Sequence, residues 1–106
     1  MEHFTHETLP RQLLRAPTPV LVEFSARWCG YCRRIAPAMD QIERELNDRV
    51  TVGQVDIDEQ PALAAQYGVE TIPALLLFRR GEPGPMLIAP GSKAQIDQWL
   101  AEQGVE

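Results

Sequence analysis

Residues 20 to 32, VLVEFSARWCGYC, decide the fold. Val20 to Phe24 form an apolar run with β-branched members, the mark of a strand buried on both faces, interrupted by one acid, Glu23. Cys29 and Cys32, three apart, close the stretch. Beyond them the period changes. Ile35, Met39, Ile42 and Leu46 recur at intervals of 4, 3 and 4, which draws one apolar stripe along a helix. The cysteines therefore lie where a buried strand gives way to a long helix. Pro37 falls inside that helix, removes one backbone donor and is expected to kink it.

Upstream, Leu9 to Arg15 reads as a short helix with Leu9, Leu13 and Leu14 on one face, stopped by the Ala-Pro-Thr-Pro of 16–19. A short strand at His3–Thr5 is a candidate before it. Downstream, Val50 to Ile57 alternates as a strand. Asp58 is placed to cap a short helix through Tyr67, which Gly68 ends. Ala74 to Phe78 is a second apolar run, wholly so, and hence a central strand. Residues 79–85, RRGEPGP, make a turn, and Met86 to Ala89 pairs back as a shorter strand. Ser92 and Gln95 form an S-x-x-Q capping box for a last helix with Ile96, Trp99 and Leu100 inward. Strands alternating with helices give parallel pairs, and the closing hairpin adds antiparallel ones. The expected architecture is an α/β fold, a three-layer α/β/α sandwich around a mixed central β-sheet. All 106 residues are assigned to a single domain, 1–106, a length that needs no disulfide or metal staple.

Ten basic residues against fifteen acidic ones leave a net charge of −5. Nucleic acid and anionic membranes are excluded as partners on that balance, because both call for a dense basic footprint. No apolar run approaches the roughly 20 residues needed to cross a bilayer. The first ten residues, MEHFTHETLP, carry no basic segment followed by an apolar stretch, so a cytoplasmic setting is expected. Two cysteines are too few for a disulfide framework and point instead to redox or metal chemistry.

Residues three apart on a helix share a face with Cβ atoms about 5–6 Å apart, and a small adjustment closes a disulfide between them. The helix start makes the two sulfurs unequal. Cys29 faces unpaired backbone N–H groups and the positive end of the helix dipole, so it is expected to be exposed and largely thiolate, its pKa below the free value of about 8.5. Cys32, one turn in, is expected to point into the protein as a shielded thiol. Arg33 and Arg34 add positive charge nearby, in solvent. Two bland readings compete: a pair of buried core thiols, and a zinc site completed by His3 and His6. Against zinc, the histidines precede the cysteines, whereas zinc fingers place them after at wider spacing, so no metal is expected. Trp99 reads as core packing and Arg79-Arg80 as a solvated strand end. Asp56, Asp58 and Glu59 supply no complete ligand set.

VLVEFSARWCGYC, the later YGVETIPALLLF of residues 67–78 and the closing Ser-Lys helix at 92–93 fall in one family's order and spacing, and the chain resembles the thioredoxins over nearly its whole length. The resemblance implies a protein-disulfide reductase that works by dithiol–disulfide exchange, with Cys29 as nucleophile and Cys32 as resolving thiol. It implies that Pro73 is a cis-proline facing the disulfide, that Ile72 offers its backbone to a bound substrate strand, and that Trp28, Gly30 and Tyr31 belong to the same contact surface. Glu23, under the site, would accept the Cys32 proton during resolution. Disulfide-containing proteins are the implied substrates, an NADPH-dependent flavoprotein reductase the implied recharging partner, and no bound cofactor is needed. A monomer is expected.

Several positions depart from the family pattern. Tyr31 stands where thioredoxins usually carry proline, and Cys-Gly-Tyr-Cys resembles the motif of some disulfide isomerases. The backbone N–H gained there favours the thiolate and hence a more oxidising couple. Glu23 replaces an aspartate and Gln54 a lysine often paired with it, so desolvation without a cation should raise the pKa of Glu23. Ser25 replaces an aromatic residue and Ala89 a glycine. Two alternatives stay open: an oxidase- or isomerase-like exchange domain outside the cytoplasm, and a binding module in which turnover is incidental.

Overall fold

The computed structural model describes residues 1–105. Along the chain its elements are β1 (Glu2–His3), α1 (Thr8–Arg15), β2 (Val20–Ser25), α2 (Gly30–Glu45), β3 (Thr51–Asp56), α3 (Pro61–Gln66), β4 (Ala74–Arg79), β5 (Glu82–Pro83), β6 (Leu87–Ile88) and α4 (Lys93–Glu102). The two apolar runs take the middle of the sheet, whose order is β1-β3-β2-β4-β5. β2 pairs with β3 in parallel, Val22 opposite Gly53, and with β4 antiparallel, Phe24 opposite Ala74. β5 and β6 share the outer edge of β4 at its two ends. Parallel neighbours need a crossover, and α2 supplies it between β2 and β3.

The period-2 alternation of β2 sorts its side chains into the two flanking layers. Val20, Val22 and Phe24 pack with Phe4, Leu9, Leu63, Leu76 and Phe78 on the side of α1 and α3. Leu21 packs with Ile35, Met39, Ile42, Leu75, Ile96, Trp99 and Leu100 on the side of α2 and α4. The sandwich of three layers is thus as expected, and the apolar stripes of α2 and α4 are the faces buried.

Differences are local. In α1 Leu9 is buried but Leu14 is 87% exposed, because five residues at about 100° each carry it away from the buried stripe. The first strand is Glu2–His3 rather than His3–Thr5, since pairing with Gly53 and Gln54 sets its register. Within residues 79–85 the chain makes a tight hairpin: Arg80 and Gly81 take φ of 54° and 82°, which brings Glu82 opposite Arg79. Asp58 does not cap α3. The helix begins on Pro61, whose fixed φ suits the first position, and its N-cap Gln60 makes no side-chain cap. Ser92 caps α4 by accepting from Gln95 N–H at 3.2 Å, while Gln95 Oε1 accepts from Gly91 N–H, one residue before the cap. α2 runs unbroken through Pro37.

β1 is held by a close approach. A Cβ on Gly53 would run into the buried Phe4 ring and lie 2.8 Å from the Glu2 carbonyl oxygen. Gly53→Ala is therefore expected to displace Phe4 and β1 and to destabilise the protein by about 1–3 kcal/mol. Urea unfolding monitored by far-UV circular dichroism checks this; a midpoint equal to that of the parent would show that β1 and Phe4 yield without loss.

Candidate active site

β2 ends at Ser25, and the chain turns at once: Cys29 N–H donates to the Ala26 carbonyl at 3.2 Å. Cys29 is extended (φ −83°, ψ 104°) and is the N-cap of α2, with its Sγ accepting from Cys32 N–H at 3.1 Å. A sulfur thus fills the place usually taken by a serine or aspartate oxygen. Cys29 and Cys32 are joined in a disulfide, their Cα atoms 5.2 Å apart. The expected difference in exposure is absent in this oxidised form, for both cysteines are 6% exposed. The bridged pair packs with Ala26, and Tyr31, Ile57 and Ile72 close over it. What distinguishes the two sulfurs is position: Cys29 sits on the helix cap and Cys32 one turn in.

Three strand ends meet here because Phe24 of β2 and Ile88 of β6 both lie opposite Ala74, the first residue of β4. The peptide bond just before it, Ile72–Pro73, is cis, and Ala89 N–H donates to the Pro73 carbonyl at 2.8 Å. Trp28 is 65% exposed, and its indole N–H donates to Asp58 Oδ2 at 2.8 Å. That bond explains where the Asp58 carboxylate goes, and no sequence spacing pointed to it. Asp56 shapes the same loop by accepting from the Asp58 and Glu59 N–H groups at 2.8 and 3.2 Å. Gly30 is exposed in the first turn of α2. Tyr31 is half-buried, its hydroxyl donating to the Ala89 carbonyl at 3.2 Å, with the Arg34 guanidinium 4.8 Å over its ring. Trp28, Gly30, Tyr31, Ile72 and Pro73 thus gather with the two cysteines at one end of the sheet.

Glu23 lies in β2, two residues before its end, and is 2% exposed. Its pKa is pushed up to about 7, first by burial and then by the charge of Asp40 on α2. The rise was expected; the part played by Asp40 was not. Gln54 lies opposite Glu23 across the β2–β3 ladder and supplies no charge, its amide instead reaching the His3 ring at 3.3 Å. His6 turns to Gln60. Among the described residues no group of three or more histidines, cysteines and acids is placed to hold a metal ion.

A disulfide on a helix N-terminus, with the first sulfur as cap and a cis X–Pro bond leading into the adjacent central strand, defines a thiol–disulfide oxidoreductase. The family model for thioredoxin matches residues 1–102. The chain is 38% identical to thioredoxin 1 of a Nostoc species over 96 residues, covering 91% of this chain and 90% of that one. Thioredoxin 1 of Synechococcus elongatus is 44% identical over 78 residues, 74% of this chain and 73% of its own. The thioredoxin of Alicyclobacillus acidocaldarius is 39% identical over 92 residues, 87% and 88% of the two chains. The chain belongs to the thioredoxin family, whose members are protein-disulfide reductases.

The raised pKa of Glu23 makes stability depend on pH. The folded protein keeps this proton up to about pH 7, whereas the unfolded chain releases it near 4.5. Between those values the folded state binds more protons, so the contribution of Glu23 falls as pH rises and stays low above 7. The loss is of order 3 kcal/mol. Glu23→Gln is expected to remove it, leaving a variant more stable than the parent at pH 8 and flatter between pH 4.5 and 7. Urea midpoints of both proteins across that range are the check, and parallel profiles would mean that Glu23 ionises as an ordinary carboxyl.

Proposed function

We propose that residues 1–106 act as one domain, a thioredoxin that reduces disulfides in other proteins through Cys29 and Cys32. The observation that carries this reading is the Cys32 N–H aimed at Cys29 Sγ on the N-terminus of α2. In the reduced protein the same amide and the helix dipole favour a Cys29 thiolate. That thiolate attacks a substrate disulfide. A Cys29–substrate S–S bond forms, the substrate bond breaks, and the departing sulfur takes up a proton. Glu23, with a pKa near 7, is partly ionised at neutral pH and accepts the Cys32 proton. The Cys32 thiolate then attacks Cys29 Sγ; the intramolecular disulfide forms, the mixed disulfide breaks, and the second substrate sulfur leaves as a thiolate. Two electrons have passed to the substrate.

The substrate strand lies against Trp28, Gly30, Tyr31 and Pro73, with hydrogen bonds to the Ile72 backbone. An NADPH-dependent flavoprotein reductase returns two electrons to the domain, which places it in cellular electron transport and redox homeostasis. It acts as a monomer in the cytoplasm. Among the described residues no helix is long and apolar enough to cross a membrane. Tyr31 favours a second reading, an oxidase or isomerase, because a non-proline residue between the cysteines leaves one more amide to stabilise the thiolate.

Reduction of insulin by NADPH and a thioredoxin reductase tests the first reading. Cys29→Ser should abolish turnover, and Cys32→Ser should accumulate a mixed disulfide with substrate. Iodoacetamide titrated against pH should find one thiol ionising well below about 8.5. Equilibration with glutathione should give a potential near about −270 mV; one near about −180 mV would favour the isomerase reading. Two equivalent, ordinary thiols would overturn both.

A further inference from the structure

We propose that Tyr31 is a positioning residue that fixes one wall of the substrate groove and so tunes recognition of extended polypeptide disulfides. The proposal rests on the reading of the chain as a protein-disulfide reductase. Three separate segments come together at Tyr31 and Pro73: the start of α2, the Ile72–Pro73 turn before β4 and residues 89–91 after β6. Two hydrogen bonds join them in series. Tyr31 Oη–H donates to the Ala89 carbonyl at 3.2 Å, and Ala89 N–H donates to the Pro73 carbonyl at 2.8 Å.

Ala89 needs such support because it adopts φ 47°, a left-handed conformation that disfavours a residue with a Cβ. Bonds to both its N–H and its C=O hold it there. The Tyr31 ring is itself constrained: it packs against the cluster of the bridged cysteines and against the core on the side of α2 and α4, with the Arg34 guanidinium over its face. Because Tyr31 lies between the two cysteines, the segment that carries the chemistry is tied directly to the groove wall. The same bond takes up one of the two lone pairs of the Ala89 carbonyl and sets the position of the wall that an incoming strand meets.

Tyr31→Phe keeps the ring, the Arg34 contact and the backbone amide at 31, and removes only the hydroxyl. With insulin as substrate, its KM is expected to rise roughly three- to tenfold while kcat stays within about twofold, the scale of one lost hydrogen bond. Amide hydrogen exchange at Ala89 and Gly91 should quicken. The equilibrium with glutathione should not move, which separates a groove effect from a change in thiol chemistry. An unchanged KM, a fall confined to kcat, or a glutathione shift large enough to account for the rate would each overturn the proposal while the parent still reduced insulin. A parent protein unable to reduce insulin would overturn the underlying reading as well.

Discussion

Helix α2 begins with amide groups that no preceding turn can satisfy, and the Cys29 sulfur meets one of them. Most of the active end follows from that contact. The sulfur is held at the positive end of a 16-residue helix, where a negative charge is favoured. Cys32 is brought one turn along on the same face, near enough to bridge. The cap itself exists only because β2 stops at Ser25 and Cys29 N–H is tied back to Ala26, so the central strand and the reactive sulfur are parts of one turn.

Glu23 carries a tension between stability and chemistry. An acid in a central strand, without a neighbouring cation, loses hydration and gains nothing in return. The protein accommodates it by keeping it protonated to higher pH, and Asp40 pushes in the same direction. A group poised to exchange a proton near neutrality is what the resolution step calls for, so the destabilising burial and the proposed role have one origin. Tyr31 shows the reverse arrangement, a residue at the reactive turn whose hydroxyl bonds to the Ala89 carbonyl and whose ring packs against the core.

Much of this was legible in the residues. The apolar runs at Val20–Phe24, broken only by Glu23, and at Ala74–Phe78 led to the two central strands, and the Ile35–Leu46 stripe to the long helix, because strong periodicity survives packing. Leu14 did not follow, since a short helix buries only a narrow stripe. Asp58 misled for a different reason. Its type suits a cap, yet Pro61 starts α3 and the carboxylate is drawn to the indole of Trp28, thirty residues earlier. Contacts of that range leave no trace in local spacing, and the same holds for Asp40 acting on Glu23 and for Ala89 accepting from Tyr31.

The sequence by itself determined the layers of the fold and the pair of cysteines at a strand-to-helix junction, because each is written in local pattern. Only the tertiary structure decided that both sulfurs of the bridged form are covered, that the Ile72–Pro73 bond is cis beside them, and that Tyr31, Ala89 and Pro73 form one chain of hydrogen bonds. Those features depend on which distant segments the sheet register sets side by side, and register is a property of the packed whole.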